Sequence, residues 1–359
     1  MKRKKVLIFC PYPVDTVPGQ RLKYEQYIKY LEDNGYVINV FPFFSSNTYK
    51  VLYRKGYFLK KMLGVLSGIV RRACQVFLIP QADGIYIFLH VIPVGPPFLE
   101  FVYLSLAKRT IYDIDDMVHQ LRTAPANKLV SWAKSKKRYF LLLEKANHVI
   151  TCTPELDRLA RSFNSATTDI SSTVNTEIYL PCNVYRNDCE LVIGWSGSHS
   201  TVPYLHLLDN VLIRLSTRYR FKLLVMGAHS FSIPGVNVEA IPWSADIEVP
   251  TLQRIDIGLY PLPDDEWVQG KSGLKAIQYM ALGLPVVASS VGCNDRVIEN
   301  DVSGFLVSSL DDWYNCLALL LEDAALRRRL GLSARRRVEQ MYSVDANKDK
   351  YLSVFQATY

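Results

Sequence analysis

The 359-residue sequence has no covalent or metal staple written into it. Its seven cysteines (positions 10, 74, 152, 182, 189, 293 and 316) are scattered, odd in number and form no CxxC pair. That argues against a disulfide framework and points to a reduced, cytoplasmic compartment. No Cys/His spacing fits a zinc site. GxGxxG is absent, and Cys10-Pro11-Tyr12-Pro13 follows the first apolar run where a dinucleotide fingerprint would stand. GxxxxGK[ST] is absent too, so neither an NAD(P) enzyme nor a P-loop NTPase is indicated. Long apolar runs are lacking: the longest, Met62 to Val70, is nine residues, against roughly 20 for a membrane span. No transmembrane helix is therefore expected. The basic N-terminus leads into a five-residue apolar run cut by Pro11 and Pro13, which reads as a first strand, not a signal peptide. Acidic residues are missing from positions 34–82 and again from Met117 to Leu143. There is no recognition-helix, RRM or zinc-finger signature, so nucleic acid is not an expected partner.

What is present is an ordinary globular composition, 49 % apolar and 21 % charged, with a net charge of +8. That charge favours an anionic partner: nucleic acid, a phosphorylated small molecule or an anionic membrane. The length suits two domains. Short apolar runs alternate with helical patterns. Strands are expected at Lys5–Cys10, Tyr36–Pro42, Gly84–Leu89, Arg109–Ile114 and His148–Cys152, then from Leu191, Phe221, Val236, Ile255, Pro285 and Gly304. Such runs imply parallel sheets buried on both faces. The pattern restarts at Leu191 after a polar stretch at Pro181–Glu190. The fold class is α/β, two tandem doubly wound domains, with sites at the carboxyl ends of the strands and in the cleft between domains. The boundaries expected are 1–185, 186–340, and a helical tail over 341–359.

The acid-free stretch carries Lys50, Arg54, Lys55, Lys60, Lys61, Arg71 and Arg72. Leu59, Met62, Leu63, Leu66, Ile69, Ala73 and Phe77 recur there at helical spacing. This helix has two readings. One is a core helix with a solvated basic face; the other is a membrane-surface helix whose cations face anionic headgroups. The second stretch adds Lys128, Lys134, Lys136, Lys137 and Arg138 to the membrane side of the balance.

The most informative segment is Trp267-Val268-Gln269-Gly270-Lys271-Ser272-Gly273-Leu274-Lys275-Ala276-Ile277-Gln278. It follows a strand and a Pro/Asp loop and opens a helix with apolar positions 274, 277, 280 and 281. Gly270, Ser272 and Gly273 then lie at a helix N-terminus, whose N–H groups and dipole attract an anion. Lys271 and Lys275, four apart, share a face. Together they can neutralise a diphosphate with no divalent ion. Gln278, one turn on, is placed for a ribose hydroxyl. The bland alternative is a capped helix with two surface lysines. A second turn, Gly194-Trp195-Ser196-Gly197-Ser198-His199-Ser200, is expected beside it.

Gly270-Lys271-x-x-x-Lys275-x-x-Gln278-Tyr279-Met280-Ala281-x-Gly283-x-Pro285-Val286-Val287-Ala288 resembles the donor-site helix and next strand of family 4 glycosyltransferases of the GT-B fold. Ile193–Ser198, Ile111–Asp116, Asn300–Leu306 and Pro18-Gly19-Gln20-Arg21 match further segments, the acidic strand end in a bacterial polysaccharide branch. The resemblance implies a retaining transfer from a nucleotide-sugar donor without cofactor or metal, and a C-terminal helix crossing back onto the N-terminal, acceptor-binding domain. It implies donor binding by Gly19, Arg21, Lys271, Ser272, Gly273, Lys275 and Gln278, with the N–H groups of Gly197 and Ser198. Asp115, Asp116 and His90 fall at strand ends, where they are expected to orient the acceptor or act as a base. Helix capping (for Asp115 and Asp116) and a loop position (for His90) are the alternatives. The family's two glutamates, eight positions apart, are here Gly270 and Gln278. The acceptor expected is a saccharide, lipid-linked, in surface polysaccharide synthesis, with the protein cytoplasmic or peripheral on the inner membrane face. Rival readings are a nucleotide-sugar epimerase, a phosphorylase, and a non-catalytic nucleotide-sugar-binding scaffold.

Overall fold

The computed structural model describes residues 3–54, 56–120, 135–181, 190–198 and 200–359. It divides into two units: Met1–Ser172 with Lys348–Tyr359, and Thr173–Asn347. The expected boundary near 185 moves upstream, and hydrogen bonding explains the shift. Arg335 donates to the carbonyls of Thr176, Tyr179 and Ala281, and the Tyr179 hydroxyl donates to Glu248 at 2.8 Å. Those contacts bind residues 173–181 to the second unit.

The first unit is built on β1 (Lys4–Cys10), β2 (Tyr36–Pro42), β3 (Gly84–Phe88), β4 (Thr110–Asp113), β5 (His148–Thr151) and β6 (Thr167–Asp169). All pair in parallel in the order β2-β1-β3-β4-β5-β6. Its helices are α1 (Pro18–Arg21), α2 (Ile28–Asp33), α3 (Ser46–Leu52), α4 (Phe58–Gln75), α5 (Phe98–Leu106), α6 (Lys137–Lys145) and α7 (Pro154–Arg161). The second acid-free stretch forms a helix over Lys137–Lys145; its Lys128 and Lys134 lie outside the described residues. The central strands are sealed on both faces, which is why Val6-Leu7-Ile8-Phe9-Cys10 is an unbroken apolar run.

The second unit has β7 (Leu191–Ser196), β8 (Phe221–Met226), β9 (Asn237–Ile241), β10 (Ile257–Tyr260), β11 (Val286–Ser289) and β12 (Phe305–Val307). They are parallel in the order β12-β11-β10-β7-β8-β9. Helices α8 (Val202–Leu205), α9 (Asp209–Ser216), α10 (Ala245–Leu252), α11 (Leu274–Ala281), α12 (Asn294–Val297), α13 (Leu310–Glu322) and α14 (Ala324–Met341) complete it. Both sheets are doubly wound and change direction once, between β1 and β3 and between β7 and β10. Ligands of such sheets sit at the strand carboxyl ends beside that point. The last helix, α15 (Val344–Thr358), contributes its residues from Lys348 to the first unit. There Tyr351 stacks on Tyr27 with ring centroids 4.2 Å apart, and the Tyr359 hydroxyl donates to the Ile85 carbonyl at 2.7 Å.

One helix is longer than the apolar run in the sequence suggests. With the 3-10 turn that continues α4, Phe58–Gln81 forms a 24-residue helix long and apolar enough to cross a membrane. Counting only strictly apolar neighbours missed it, because Arg71 and Arg72 interrupt the run. Arg72 is buried in the unit. Its guanidinium donates to the carbonyls of Cys10, Phe41 and Val91 and to the Gln75 side chain. Arg71 bonds the Phe43 carbonyl at 2.6 Å. Neither arginine is a free surface cation.

Candidate functional site

In the second unit, β7 and β10 lie side by side at the switch point, with Ile257 opposite Ile193 and Gly258 opposite Gly194. Past their ends, Trp195, Thr201, Tyr204, Tyr260, Pro261, Leu262, Lys271 and Lys275 line a narrow recess of about 30 Å³. The two lysines expected to act together therefore do share one recess. Each ammonium also lies over an indole: Lys275 is 5.7 Å from the Trp195 ring centre and Lys271 6.0 Å from that of Trp267. An aromatic face favours a cation without neutralising it.

The chain enters this site through a short 3-10 turn, Val268–Gly270, which Asp265 caps by accepting from the Val268 N–H at 2.9 Å. Lys271 is extended, and Gly273 is the N-cap of α11 at φ +74°. A Cβ at Gly273 would stand 2.8 Å from Val297 Cγ2, so both the dihedral and the space require glycine. The helix begins at Leu274, just past Ser272 and Gly273. Gly273 offers no side-chain cap, so the N-terminal, positive end of the α11 dipole lies at the turn that carries Lys275. Ser272 is buried next to it. Behind the recess, the Tyr279 hydroxyl accepts from the Ser196 N–H at 2.7 Å and donates to Ser196 Oγ at 3.2 Å, tying the end of β7 to α11.

Three expected donor contacts are placed differently. The Gly197 N–H donates to the Met226 carbonyl at 2.9 Å, and the Ser198 N–H to Thr201 Oγ1 at 3.0 Å. These donors are spent within the fold. Gly197 is glycine because a Cβ would lie 2.0 Å from the Trp195 ring. Gln278 is buried, and its amide donates to the Tyr179 hydroxyl at 2.9 Å. Tyr179 in turn donates to Glu248, which also accepts from the Trp243 indole at 2.9 Å. Gln278 and Trp243 thus belong to a buried polar chain beneath the recess. Trp195 belongs to the turn expected beside the site. Thr201, Tyr204 and Tyr260 were not expected there, and no spacing signals them.

In the first unit, Gly19 and Arg21 follow β1, His90 follows β3, and Asp115 and Asp116 follow β4, three adjacent strands. Phe88 pairs with Asp113, so His90 and Asp115 each stand two residues beyond a matched pair. Gly19 meets Asp115 directly: a Cβ there would be 3.0 Å from Asp115 Oδ2. Asp116 takes φ 58°, a left-handed turn that ends the strand. Asp115 accepts from the Cys152 thiol at 3.2 Å. Burial first, then the neighbouring Asp116 charge, raises its carboxyl to about 6. Beneath it lies a wholly buried ion pair, Lys23 with Asp113, joined by the Tyr86 hydroxyl on Asp113 and by the Ile114 carbonyl, 3.2 Å from Lys23 Nζ. Sequence reading missed Lys23, since a lysine in a helical stretch reads as surface. The side chains of His119 and His199 lie outside the described residues. Among the described residues no group of three His, Cys, Asp or Glu is placed to hold a metal.

Residues 190–323 match the family model described as glycosyl transferases group 1. The second unit thus carries a glycosyl transferases group 1 segment, and the chain has the GT-B fold. The recess with Lys271 and Lys275 lies within the matched segment. A D-inositol 3-phosphate glycosyltransferase of Salinispora arenicola is 34 % identical over 103 residues, covering 28 % of this chain and 22 % of that relative. The chain thus matches only about a fifth of that protein. Two solved structures share the fold over nearly the full length. Sucrose-phosphate synthase from Thermosynechococcus elongatus has a TM-score of 0.68 at 16 % identity, covering 99 % of both chains. HepE of Anabaena, in complex with UDP and glucose, has a TM-score of 0.67 at 14 % identity, covering 99 % of this chain and 100 % of its own.

Proposed function

We propose that the chain is a retaining, metal-independent family 4 glycosyltransferase moving a sugar from a nucleotide-sugar to a saccharide acceptor. The observation that carries this reading is the pairing of Lys271 and Lys275 in one recess at the switch point, beside the N-terminus of α11. The demanding event is departure of the nucleotide diphosphate. The bond from the anomeric carbon to the diphosphate oxygen breaks, and negative charge grows on that oxygen. Lys271, Lys275 and the first-turn amides of α11 supply fixed positive potential where it grows. The acceptor hydroxyl attacks from the same face, and its proton passes to the departing diphosphate or to a base. Asp115, with its carboxyl held at about 6, fits a group that orients that hydroxyl and takes up its proton, with Asp116 and His90 beside it. That HepE holds UDP and glucose supports a nucleotide-sugar donor.

The acceptor we propose is a lipid-linked saccharide of surface polysaccharide synthesis, met at the inner face of the cytoplasmic membrane. The test is a thermal-shift panel with UDP, GDP, ADP, dTDP and CMP in EDTA, on wild type and Lys271→Ala/Lys275→Ala. A nucleotide at about 100 times its Kd stabilises by about 2.7 kcal/mol, and the double variant loses that shift. No shift with any nucleotide would refute the donor assignment. A shift without donor turnover in the presence of saccharide acceptors would leave a nucleotide-binding scaffold.

A further inference from the structure

Helix α4 is packed inside out. Its inward face carries Gly64, Gly68 and Arg72, spaced four apart and all buried. The glycines allow close approach: a Cβ on Gly64 would be 2.3 Å from Thr48, and one on Gly68 2.5 Å from the Phe43 ring. The outward face carries Leu59, Met62, Leu63, Leu66 and Val70, and Phe77 continues it into the 3-10 turn. At 100° per residue these six fall on one side of the axis, opposite the glycines. Leu59 is 67 % exposed, Leu63 60 %, Val70 61 % and Phe77 76 %. On α5, which packs against that 3-10 turn, Phe98 and Phe101 are exposed as well. A continuous apolar stripe of this length marks an interaction surface.

The occupant follows from charge and anchoring. Positions 34–82 hold no acid, and Lys50, Arg54 and Lys60 are exposed around the stripe. An acidic surface with an apolar layer beneath it complements this face. A spanning helix does not fit, because withdrawing α4 would strip Arg72 of its carbonyl partners on β1, on β2 and past β3.

We propose that α4 lies in the plane of an anionic bilayer and inserts Leu59, Leu63, Leu66, Val70 and Phe77 below the headgroups. This deepens the reading of a membrane-side acceptor and rests on it, but needs nothing from the donor site. It also replaces a purely electrostatic attachment, since Arg71 and Arg72 are committed to the fold.

The experiment is co-sedimentation of the full chain with sucrose-loaded vesicles of 70 % phosphatidylcholine and 30 % phosphatidylglycerol. Wild type should pellet. Leu63→Ser/Leu66→Ser/Val70→Ser should lower vesicle partitioning at least about tenfold, with an unchanged circular dichroism melt because all three sites are exposed. Leu66→Trp should show an emission shift to the blue on adding vesicles. Equal pelleting of wild type and triple variant would overturn the proposal, as would folded wild type left in the supernatant. So would an unshifted tryptophan, or a dimer that the triple variant dissociates without vesicle binding. UDP thermal shifts on the same triple variant separate this failure from failure of the donor reading.

Discussion

Replacing Lys23 by methionine isolates the buried pair beneath Asp115. Lys23 and Asp113 are both fully buried, so solvent screens neither. Burial is the largest single influence on the Lys23 ammonium and opposes it, but the charges of Asp113, Cys152 and Asp115 and the hydrogen bond to Asp113 together outweigh it and leave its pKa above the ordinary value. On Asp113, burial pushes the carboxyl up more than Lys23 pulls it down. The contact and the Tyr86 hydrogen bond argue for an ionised pair at neutral pH. Removing one partner of such a pair costs about 3–5 kcal/mol. Tyr86 still serves Asp113 in the variant, which places the loss near the lower end, about 3 kcal/mol. The pH dependence has a definite sign. Without Lys23 the folded carboxyl rises further above its unfolded value of about 3.9. A carboxyl raised by folding destabilises above its folded pKa, and the penalty fades as pH falls toward the unfolded value. Each pH unit crossed returns about 1.4 kcal/mol. The assay is amide hydrogen exchange of β4 and β5, read peptide by peptide so that the other unit does not intrude. At pH 8 protection should fall about a hundredfold; at pH 5, after correction for intrinsic rates, most of it should return. A loss of the same size at both values would refute an ionised pair.

Four other outcomes follow from the geometry. Gly273→Ala, strained at φ +74° and 2.8 Å from Val297, should destabilise by about 1–2 kcal/mol and weaken UDP binding in calorimetry. Tyr179→Phe removes the hydroxyl between Gln278 and Glu248. It should cost about 1–3 kcal/mol in urea unfolding and leave the Kd for UDP unchanged. If Asp115 works ionised, kcat/KM should fall tenfold per pH unit below about 6, and Asp115→Asn should abolish that limb. Deleting Tyr359 empties the space beside Gly84 and frees the Ile85 carbonyl. It should lower the melting temperature by a few degrees, read by circular dichroism.

The central strands were legible because they are sealed on both faces, where only apolar side chains survive; the edge strands β2 and β9 are only partly covered. The exceptions show the limit. β6 is Thr167-Thr168-Asp169, a half-buried edge strand with no apolar run to announce it. Helix α10 carries Pro250 inside it and escaped notice for that reason. The lysine pair was legible from its place at a helix start, although not by helical spacing: Lys271 is extended ahead of α11 and only Lys275 lies in its first turn. The amide donors of Gly197 and Ser198 were not, because sequence names a donor without saying what already accepts from it.

Helix α4 makes the deeper point about orientation. Its 3.6-residue period is plain in the sequence, yet a period gives an apolar side and no direction for it. The direction was set by the opposite side, where Gly64, Gly68 and Arg72 recur every four residues. Small residues at that spacing let a helix approach a neighbour closely, and a buried arginine there can cap carbonyls at strand ends. Once that face is held against Thr48 and Phe43, the leucines have only the outside left to them. A stripe usually taken for core is thereby turned to the surface. Its exposure destabilises the protein in water and is offset only where something apolar covers it.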